Sequence, residues 1–514
     1  MSADAVPSAS RHCVDPAFVA LPLDAVADAA LSTARAHGAE HADVRIERIR
    51  TRNVAIRDTQ LAGMHDGEDL GLAVRVVLDG TWGFAATADL TPDAARATAE
   101  QALAVARVSR PLRTRAVTLA DEPVWQGTWV SDYVIDPFDV AVSEAVAVLG
   151  DYAGRVLADP RVQHATASLH QVRETTFYAD LAGTRTLQQR VRLHPEVEAL
   201  GVDSDTGGFE TMRTLAAPVA RGWEYVTGTD GVHDWAGELA ELPELLAERL
   251  AAPSVQPGTY DLVIDPSNLW LTIHESIGHA TELDRALGYE ANYAGTSFAT
   301  PDQLGTMRYG SDLMNVTGDR TTAHGLASVA WDSEGVAAQR WDIVKDGRLV
   351  GYQLDRSSAT LLDGDDPRSN GCAFADSPGH VAIQRMANVS LQPGSQPCIV
   401  DDLIGQVDDG LYVVGDKSWS IDMQRYNFQF TAQRFYRIRG GRLAGQVSDA
   451  AYQGRTPDFW GSLAGLGDVS TWVLGGAFNC GKAQPGQVAP VSHGAPATLF
   501  RGVNVLNTDA EGQR

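Results

Sequence analysis

The chain has 514 residues. A single hydrophobic core rarely organises a chain of this length, so two domains are expected. Its composition, 44% hydrophobic and 21% charged, is that of an ordinary soluble protein. The formal net charge of −25 argues against a nucleic-acid-binding surface and against an anionic membrane surface, because both contacts rely on lysine and arginine.

The cysteine content and the first residues of the chain indicate the cellular compartment that we expect. The 4 cysteines form no Cys-x-x-Cys pair, and in so long a chain they do not indicate a disulfide framework. Residues 1–16 lack a basic start followed by an apolar stretch, so no signal peptide is expected. No uncharged apolar run is long enough to cross a membrane. We therefore expect a cytoplasmic protein with no membrane and no nucleic acid as partner.

Residues 1–19 are small and polar and are expected to form a flexible tail. After them, segments with helical periodicity alternate with segments typical of strands. The predicted helices are 21–36, 91–108, 139–157 and 234–250, and the predicted strands are 42–50, 53–60, 71–78, 81–87, 163–178 and 184–193. Asp79-Gly80 between two of these strands is a strong hairpin signal. The sequence predicts an N-terminal mixed α/β domain over residues 20–255, with mostly antiparallel strands.

A stretch bearing Pro and Gly near residues 253–258 marks the expected domain boundary. Beyond residue 285 helical patterns nearly vanish, and short β-like runs separated by Gly, Asp and Pro dominate. Examples are 341–344, 381–385, 411–414, 428–430 and 435–438. We expect residues 256–514 to form a β-rich domain packed around one helix, so that the whole chain is an α+β protein.

The most informative motif is His274-Glu275-Ser276-Ile277-Gly278-His279, an H-E-x-x-x-H run. Two imidazoles and one carboxylate on a short segment are what a hydrolytic zinc site needs. The histidines bind the metal through neutral nitrogens, and Glu275 can take a proton from water. The alternative is two unrelated histidines near a helix end.

The spacing between the two histidines needs a distorted helix. In a regular α-helix, residues five apart lie about 140° apart around the axis, so His274 and His279 could not bind one ion. A π-bulge would return them to one face, and Gly278 precedes His279 where backbone distortion costs least. The flanks support a helix, since Asp265 can cap it and Pro266 suits its first position.

Catalytic zinc usually has three protein ligands and one open position, so a third ligand is required. Glu282 and Asp284 are candidates close by, and Cys480 and His493 are distant ones. Cys480 is the best distant candidate, because flanking glycines permit close approach and Lys482 would favour the thiolate. The commoner role of a free cysteine is that of a small buried hydrophobe.

Several stretches together resemble the metal-binding branch of the TldD/PmbA family, also called modulators of DNA gyrase. The H-E-x-x-x-H run is followed by Glu282-Leu283-Asp284, as in that branch. Further matching stretches, in order, are 332–336, 345–352, 385–388, 393–394, 480–482 and 485–487. The resemblance runs from about residue 20 to the end. Residues 417–426 and 475–478 depart from it, the former being unlike the shorter, small-residue loop expected of bacterial relatives.

The resemblance implies a zinc metallopeptidase in which His274, His279 and Cys480 bind Zn²⁺ and Glu275 is the catalytic glutamate. It also implies short or unfolded peptides as substrates, including modified peptide precursors. The implied assembly is a homodimer, or a heterodimer with a non-catalytic TldE/PmbA-like homologue. Two alternatives stay open: a non-catalytic peptide-binding or regulatory subunit with a closed zinc site, and a tailoring enzyme that acts on a peptide-like natural product.

Overall fold

The computed structural model of the chain describes residues 12–203, 207–362 and 367–509. Residues 1–11 of the predicted tail lie outside this range. The end of the predicted tail is corrected: Pro16–Val19 is a short helix capped by Asp15, whose side chain accepts from the amide of Ala17. Phe18 on that helix is fully buried in the first hydrophobic core, which fixes this part of the chain.

The first half of the described chain mixes helices with long strands. The helices are α1 (Pro16–Val19), α2 (Leu23–Ala36), α3 (Pro92–Ser109), α4 (Val142–Leu157), α5 (Trp223–Thr227) and α6 (Trp235–Ala251). The strands are β1 (His41–Arg57), β2 (Gln60–Leu78), β3 (Thr81–Thr87), β4 (Gln126–Val130), β5 (Val162–Asp180), β6 (Arg185–Val202) and β7 (Phe209–Arg213). A short 3₁₀ turn at Arg110–Leu112 follows α3.

These strands form one sheet in the order β3-β2-β1-β5-β6-β4, with β7 also paired to β6. Every pairing is antiparallel except that of β4 with β6. Helices α2, α3, α4 and α6 cover the apolar face and form two hydrophobic clusters with it. The mostly antiparallel N-terminal fold predicted from the sequence is confirmed.

The other face of this sheet is charged and lies against the second half of the chain. Arg75 on β2 donates to Asp43 on β1 over 2.6 Å and to Glu334, in the second half, over 2.7 Å. All three side chains are buried. Buried ions must be paired to offset the loss of hydration, so Arg75 fixes how the two halves meet.

The second half is rich in short strands. They are β8 (Gly258–Ile264), β9 (Val316–Asp319), β10 (Arg340–Lys345), β11 (Arg348–Leu349), β12 (Ala373–Phe374), β13 (Ile383–Gln384), β14 (Asn388–Leu391), β15 (Asp409–Ile421), β16 (Asn427–Arg439), β17 (Arg442–Val447), β18 (Ala450–Arg455), β19 (Leu463–Leu466), β20 (Val473–Lys482), β21 (Gln487–Ala495) and β22 (Thr498–Asn507). The helices are α7 (Pro266–Ile273), α8 (Leu283–Ala286), α9 (Arg356–Ala359), α10 (Val400–Gly405) and α11 (Thr456–Gly461), with 3₁₀ turns at Pro301–Gln303 and Val469–Thr471.

A closed sheet organises this half. Its order is β15-β8-β22-β18-β16-β17, and β15 also pairs with β16, so the strands return on themselves. Helix α7 packs on this sheet and on the separate β20–β21 hairpin, and its apolar residues join the largest hydrophobic cluster. Asn268 on α7 donates to the carbonyl oxygens of Gly415 and Thr431, which ties the helix to β15 and β16.

The predicted α+β class is confirmed, with a strand-rich second half around one helix. The predicted strands 42–50 and 53–60 join as one strand, β1, which ends at Arg57, and 428–430 and 435–438 are one strand, β16. The named strands of the two halves do not share a sheet within the described residues. The exact domain limits stay a prediction. Within the same residues, no helix is both long and apolar enough to cross a membrane.

We predict that Arg75→Leu strongly destabilises the fold, because it leaves Asp43 and Glu334 buried without their cation. Breaking a buried ion pair in this way costs about 3–5 kcal/mol in the free energy of unfolding. Chemical denaturation followed by tryptophan fluorescence measures the loss. The matched control is Arg96→Ala, which removes an exposed pair with Asp93 and should cost about 0–1 kcal/mol. Equal small losses for both variants would contradict the interpretation.

Candidate metal centre

The motif begins on α7 and continues into a distorted turn. Asp265 caps α7 by accepting from the amide of Ser267, and Pro266 occupies the first helical turn. His274–Gly278 is a π-helical turn, which confirms the bulge predicted from the motif spacing. A 3₁₀ turn, His279–Thr281, follows it directly. The extra residue in the π turn places both histidines on one face.

The structure brings together His274, His279 and Cys480. One nitrogen from each ring and the cysteine sulfur all lie within 4.8 Å of one another, and all three side chains are buried. Cys480 comes from β20, about two hundred residues further along the chain, and its Sγ lies 3.6 Å from Nε2 of His279. Two imidazoles and a thiol form a donor set that suits Zn²⁺ with one position left open.

A chain of hydrogen bonds fixes the proton on His274. Nδ1 of His493 lies 2.8 Å from the carbonyl oxygen of Val389, which can only accept, so this nitrogen carries the proton. Neutral His493 then accepts at Nε2, 2.8 Å from Nδ1 of His274. His274 therefore donates from Nδ1 and keeps its Nε2 lone pair for a metal. Burial lowers the pKa of both rings, which favours the neutral forms that this chain requires.

His279 is oriented by a carboxylate. Its Nδ1 lies 2.8 Å from Oε2 of Glu282, which leaves Nε2 facing Cys480. Glu282 also accepts from Arg285 over 3.2 Å and from Lys482 over 3.1 Å. Burial opposes the charge on Glu282, but Lys482, His279 and Arg285 hold its pKa well below the usual range. An ionised Glu282 makes the His279 ring a better ligand.

Lys482 acts on the site in a different way from that expected. Its ammonium group binds Glu282 and, over 2.8 Å, Asp284, and it makes no hydrogen bond to Cys480 among the described contacts. Arg385 instead donates to the carbonyl oxygen of Cys480. Burial alone would raise the pKa of the Cys480 thiol, but His279 and Arg385 outweigh it and lower that pKa. The site therefore favours a thiolate.

Gly278 is required for space more than for backbone freedom. A Cβ built at this position would overlap the sulfur of Met386 and lie 3.5 Å from the His493 ring. Gly475 has a similar role on β20, where a Cβ would lie 2.6 Å from the Trp270 ring. Both glycines let apolar side chains and His493 pack directly behind the cluster of His274, His279 and Cys480.

Glu275 lies beside this cluster and is not part of it. Its Oε2 accepts from Nη1 of Arg425 over 3.0 Å, and both side chains are largely buried. Arg425 lies in the turn 422–426 between β15 and β16, inside the segment that departs from the family pattern. Its φ of 63° is in the left-handed region, which costs a non-glycine residue about 1–2 kcal/mol. Such strain is typical of functional positions.

The turn that carries Arg425 is held firmly in place. The Asp422 carboxylate accepts from the amides of Gln424, Tyr426 and Asn427. The amide of Thr296 donates to the carbonyl oxygen of Met423 over 2.7 Å, and Phe298 donates to Gln424 over 3.0 Å. The left-handed backbone at Arg425 is therefore imposed by contacts on both sides of the turn.

A cavity of about 310 Å³ lies along the start of α7 and the first part of β20, and His274, His279 and Cys480 do not line it. Trp270 lines it, and the Trp270 ring centre lies 6.4 Å from those of both His274 and His493. Residues 475–479 of β20 form another wall, and Trp419 of β15 contributes to the rim. Among the described strands β20 pairs only with β21, so no described strand pairs with its second edge.

Sequence reasoning placed some of these residues and missed others. It named Glu282, Asp284 and His493 as possible ligands, and the structure puts them behind the cluster, bound to Lys482 or to His274. It missed Arg425. The only available signal was that residues 417–426 differ from the family pattern, because a contact 150 positions apart leaves no trace in local periodicity.

The comparisons with known proteins agree on the family. Residues 257–507 match the PmbA/TldA metallopeptidase C-terminal domain, and residues 42–106 match PmbA/TldA metallopeptidase domain 1. The two matches together span more than half of the chain. The chain therefore belongs to the PmbA/TldD family, as the resemblance in its sequence predicted.

Individual relatives match over nearly the whole chain. A metalloprotease of Methanothermobacter thermautotrophicus is 29% identical over 91% of this chain and 96% of its own length. A zinc metalloprotease TldD homologue of Saccharolobus solfataricus is 23% identical over 82% of this chain and 87% of its own. The crystal structure of TldE from Thermococcus kodakarensis shares the fold, with a TM-score of 0.66, 14% identity and coverage of 91% and 96%.

We predict that His493→Phe weakens metal binding, because it leaves the Nδ1 proton of His274 without an acceptor. Loss of such a supporting partner typically costs 10–100-fold in metal affinity. Competition for Zn²⁺ against a chromophoric chelator measures the change. His493→Gln is the matched control, since its amide oxygen can still accept and should retain most of the affinity. Unchanged affinity in His493→Phe would contradict this role.

Proposed function

We propose that this chain is a zinc-dependent peptidase that hydrolyses short or unfolded peptides. The observation that carries the proposal is the close grouping of His274, His279 and Cys480 with Glu275 beside them and outside the group. The ligand roles of the three residues and the catalytic role of Glu275 are parts of the proposal. The names of the relatives, metalloprotease and zinc metalloprotease, support both the activity and the metal.

The surroundings of Glu282 and Asp284 favour an enzyme over a purely structural zinc site. A closed site would need one of these carboxylates as fourth ligand. Glu282 is already bound by His279, Arg285 and Lys482, and Asp284 is bound by Lys482. Neither belongs to the group of ligand atoms among the described residues. Three protein ligands leave a coordination position for water or substrate.

The proposed reaction is hydrolysis of a peptide bond. A zinc ion held by the three ligands would polarise the scissile carbonyl group and lower the pKa of water. Glu275 accepts a proton from the attacking water, and the new C–O bond forms as the carbonyl oxygen takes the electron pair. The C–N bond then breaks, and Glu275 returns the proton to the leaving amine. The products are a carboxylate and an amine.

The second edge of β20, with which no described strand pairs, supports an extended substrate. A peptide that adds to this edge along residues 473–479 would form main-chain hydrogen bonds there, and the cavity that these residues line would receive side chains. Main-chain pairing selects a peptide for its extended backbone more than for its amino-acid sequence. This mode favours flexible peptides of varied sequence, including modified peptide precursors. Tailoring chemistry on a peptide-like natural product would use the same groove, but no described residue favours it specifically.

The proposal includes a cytoplasmic location and a dimer. The fold shared with TldE supports a partnership between this chain and a non-catalytic homologue, and a homodimer is the other arrangement. Size-exclusion chromatography with light scattering, for the chain alone and after mixing with such a homologue, separates the two.

We predict that Glu275→Gln retains bound zinc but loses turnover by about 10²–10⁴-fold, because general-base removal has effects of this size. Elemental analysis of the purified chain and mass spectrometry of a peptide-library digest measure the two quantities. Glu100→Gln, an exposed residue of α3, is the control and should leave both unchanged. Loss of zinc in proportion to activity would make Glu275 a ligand and would overturn its proposed role.

We predict that the chain cleaves unfolded polypeptide and spares folded domains. Strand addition needs free backbone amides, and a folded domain has already used its own in internal hydrogen bonds. Local unfolding to expose them costs several kcal/mol. The test compares a small stable domain with its destabilised, unfolded variant under equal conditions with zinc. Equal cleavage rates would contradict the substrate assignment, and failure to cleave any peptide would favour the regulatory subunit instead.

A further inference from the structure

The turn 422–426 places a cation beside Glu275. The Arg425 side chain is only 12% exposed and meets Glu275, the proposed general base, through Nη1. Its Nη2 donates to the carbonyl oxygen of Ala294 over 3.1 Å. Nε is buried and has no hydrogen-bond partner among the described residues. A guanidinium has five N–H groups, so Arg425 keeps unused donors inside the site.

A permanent partnership with Glu275 would not serve catalysis by itself. A cation in contact with a carboxylate base stabilises the charged form of the base and so lowers the affinity of the base for a proton. The contact becomes useful when charge moves during the reaction. As Glu275 takes the proton from water it loses its negative charge, and at that moment the carbonyl oxygen of the substrate gains one. A guanidinium beside Glu275 can shift its hydrogen bond from the Glu275 carboxylate to the substrate carbonyl oxygen over a short distance.

We propose that Arg425 is a catalytic residue that stabilises the oxyanion formed on the scissile carbonyl. This inference rests on the proposed peptidase function and assigns a specific group within it. In the addition step the C–O bond to water forms, the proton goes to Glu275, and the electron pair goes to the carbonyl oxygen. Arg425 then donates an N–H to that oxygen. When the C–N bond breaks, the proton passes from Glu275 to the amine and Arg425 returns to the carboxylate.

The geometry of the turn supports this role. Its anchoring by Asp422, Thr296 and Phe298 fixes the origin of the Arg425 side chain. Oxyanion stabilisation is stronger when the donor needs little reorganisation, and the anchored turn confines the guanidinium to a short movement away from Glu275. The strained φ of 63° at Arg425 is retained although glycine would adopt it without strain. The strain also provides a clean variant, because Arg425→Gly removes the guanidinium while relieving the backbone.

The test compares two uncleavable hexa-alanine peptides on the zinc-loaded protein by calorimetry. In one a phosphinic group, anionic and tetrahedral, replaces the central amide; in the other a plain methylene isostere replaces it. Arg425→Gly should weaken the phosphinic peptide by about 10²–10³-fold, the usual effect of losing one oxyanion donor, and the methylene peptide by less than about threefold. Zinc content should not change, and Gln424→Ala, in the same turn and exposed, should match the wild-type chain.

Kinetics on a cleaved library peptide provide a second readout. Arg425→Gly should lower kcat and kcat/KM together, because the lost contact exists only in the transition state. Added guanidinium should restore part of kcat, and methylammonium should not. Equal weakening of both uncleavable peptides, loss of zinc, or unchanged phosphinic binding in an active variant would each overturn the role of Arg425 alone. If the wild-type chain neither cleaves peptides nor binds the phosphinic peptide, the peptidase function falls and this inference falls with it.

Discussion

One extra residue in a helical turn is the constraint on which the proposed metal centre depends. A regular α-helix would direct His274 and His279 about 140° apart, and the π turn His274–Gly278 brings them to one face. The fold tolerates this distorted turn because buried neighbouring side chains hydrogen-bond to it. The Tyr309 hydroxyl donates to the carbonyl oxygen of Ser276, and the Trp460 indole N–H donates to the Ser276 hydroxyl oxygen. The distorted turn therefore has side-chain partners.

In the second half of the molecule, polar side chains surround this turn and hydrogen-bond to the histidines or to the groups behind them. His493 and Glu282 set the tautomers of the two histidines, while Lys482 and Arg385 balance the charge behind Glu282 and Cys480. His493 and Lys482 come from strands distant in sequence, and Arg385 directly follows β13. The N-terminal sheet meets β20 where the rings of His170 and His194 contact Phe478. The motif therefore supplies two of the three proposed ligands, and the packing of the second half determines their protonation.

The sequence predicted what local rules control. The cap at Asp265, the π turn and the hairpin at Asp79-Gly80 follow from neighbouring residues, and the structure has all three. The full lengths of β1 and β16 were missed, because polar residues interrupt the apolar alternation and only pairing with neighbouring strands carries the strand through. The link between Glu275 and Arg425 could not be predicted, since it depends on how a turn between two strands meets a helix 150 residues away.

The central claim is that His274, His279 and Cys480 bind one zinc ion and leave one position open. X-ray absorption at the zinc edge of the purified chain tests it most directly. The account predicts one sulfur at ~2.3 Å and two imidazole nitrogens at ~2.0–2.1 Å, with a fourth light atom from water. In Cys480→Ser the sulfur contribution should disappear. A wild-type spectrum without sulfur, or one that keeps its sulfur in Cys480→Ser, would contradict the account.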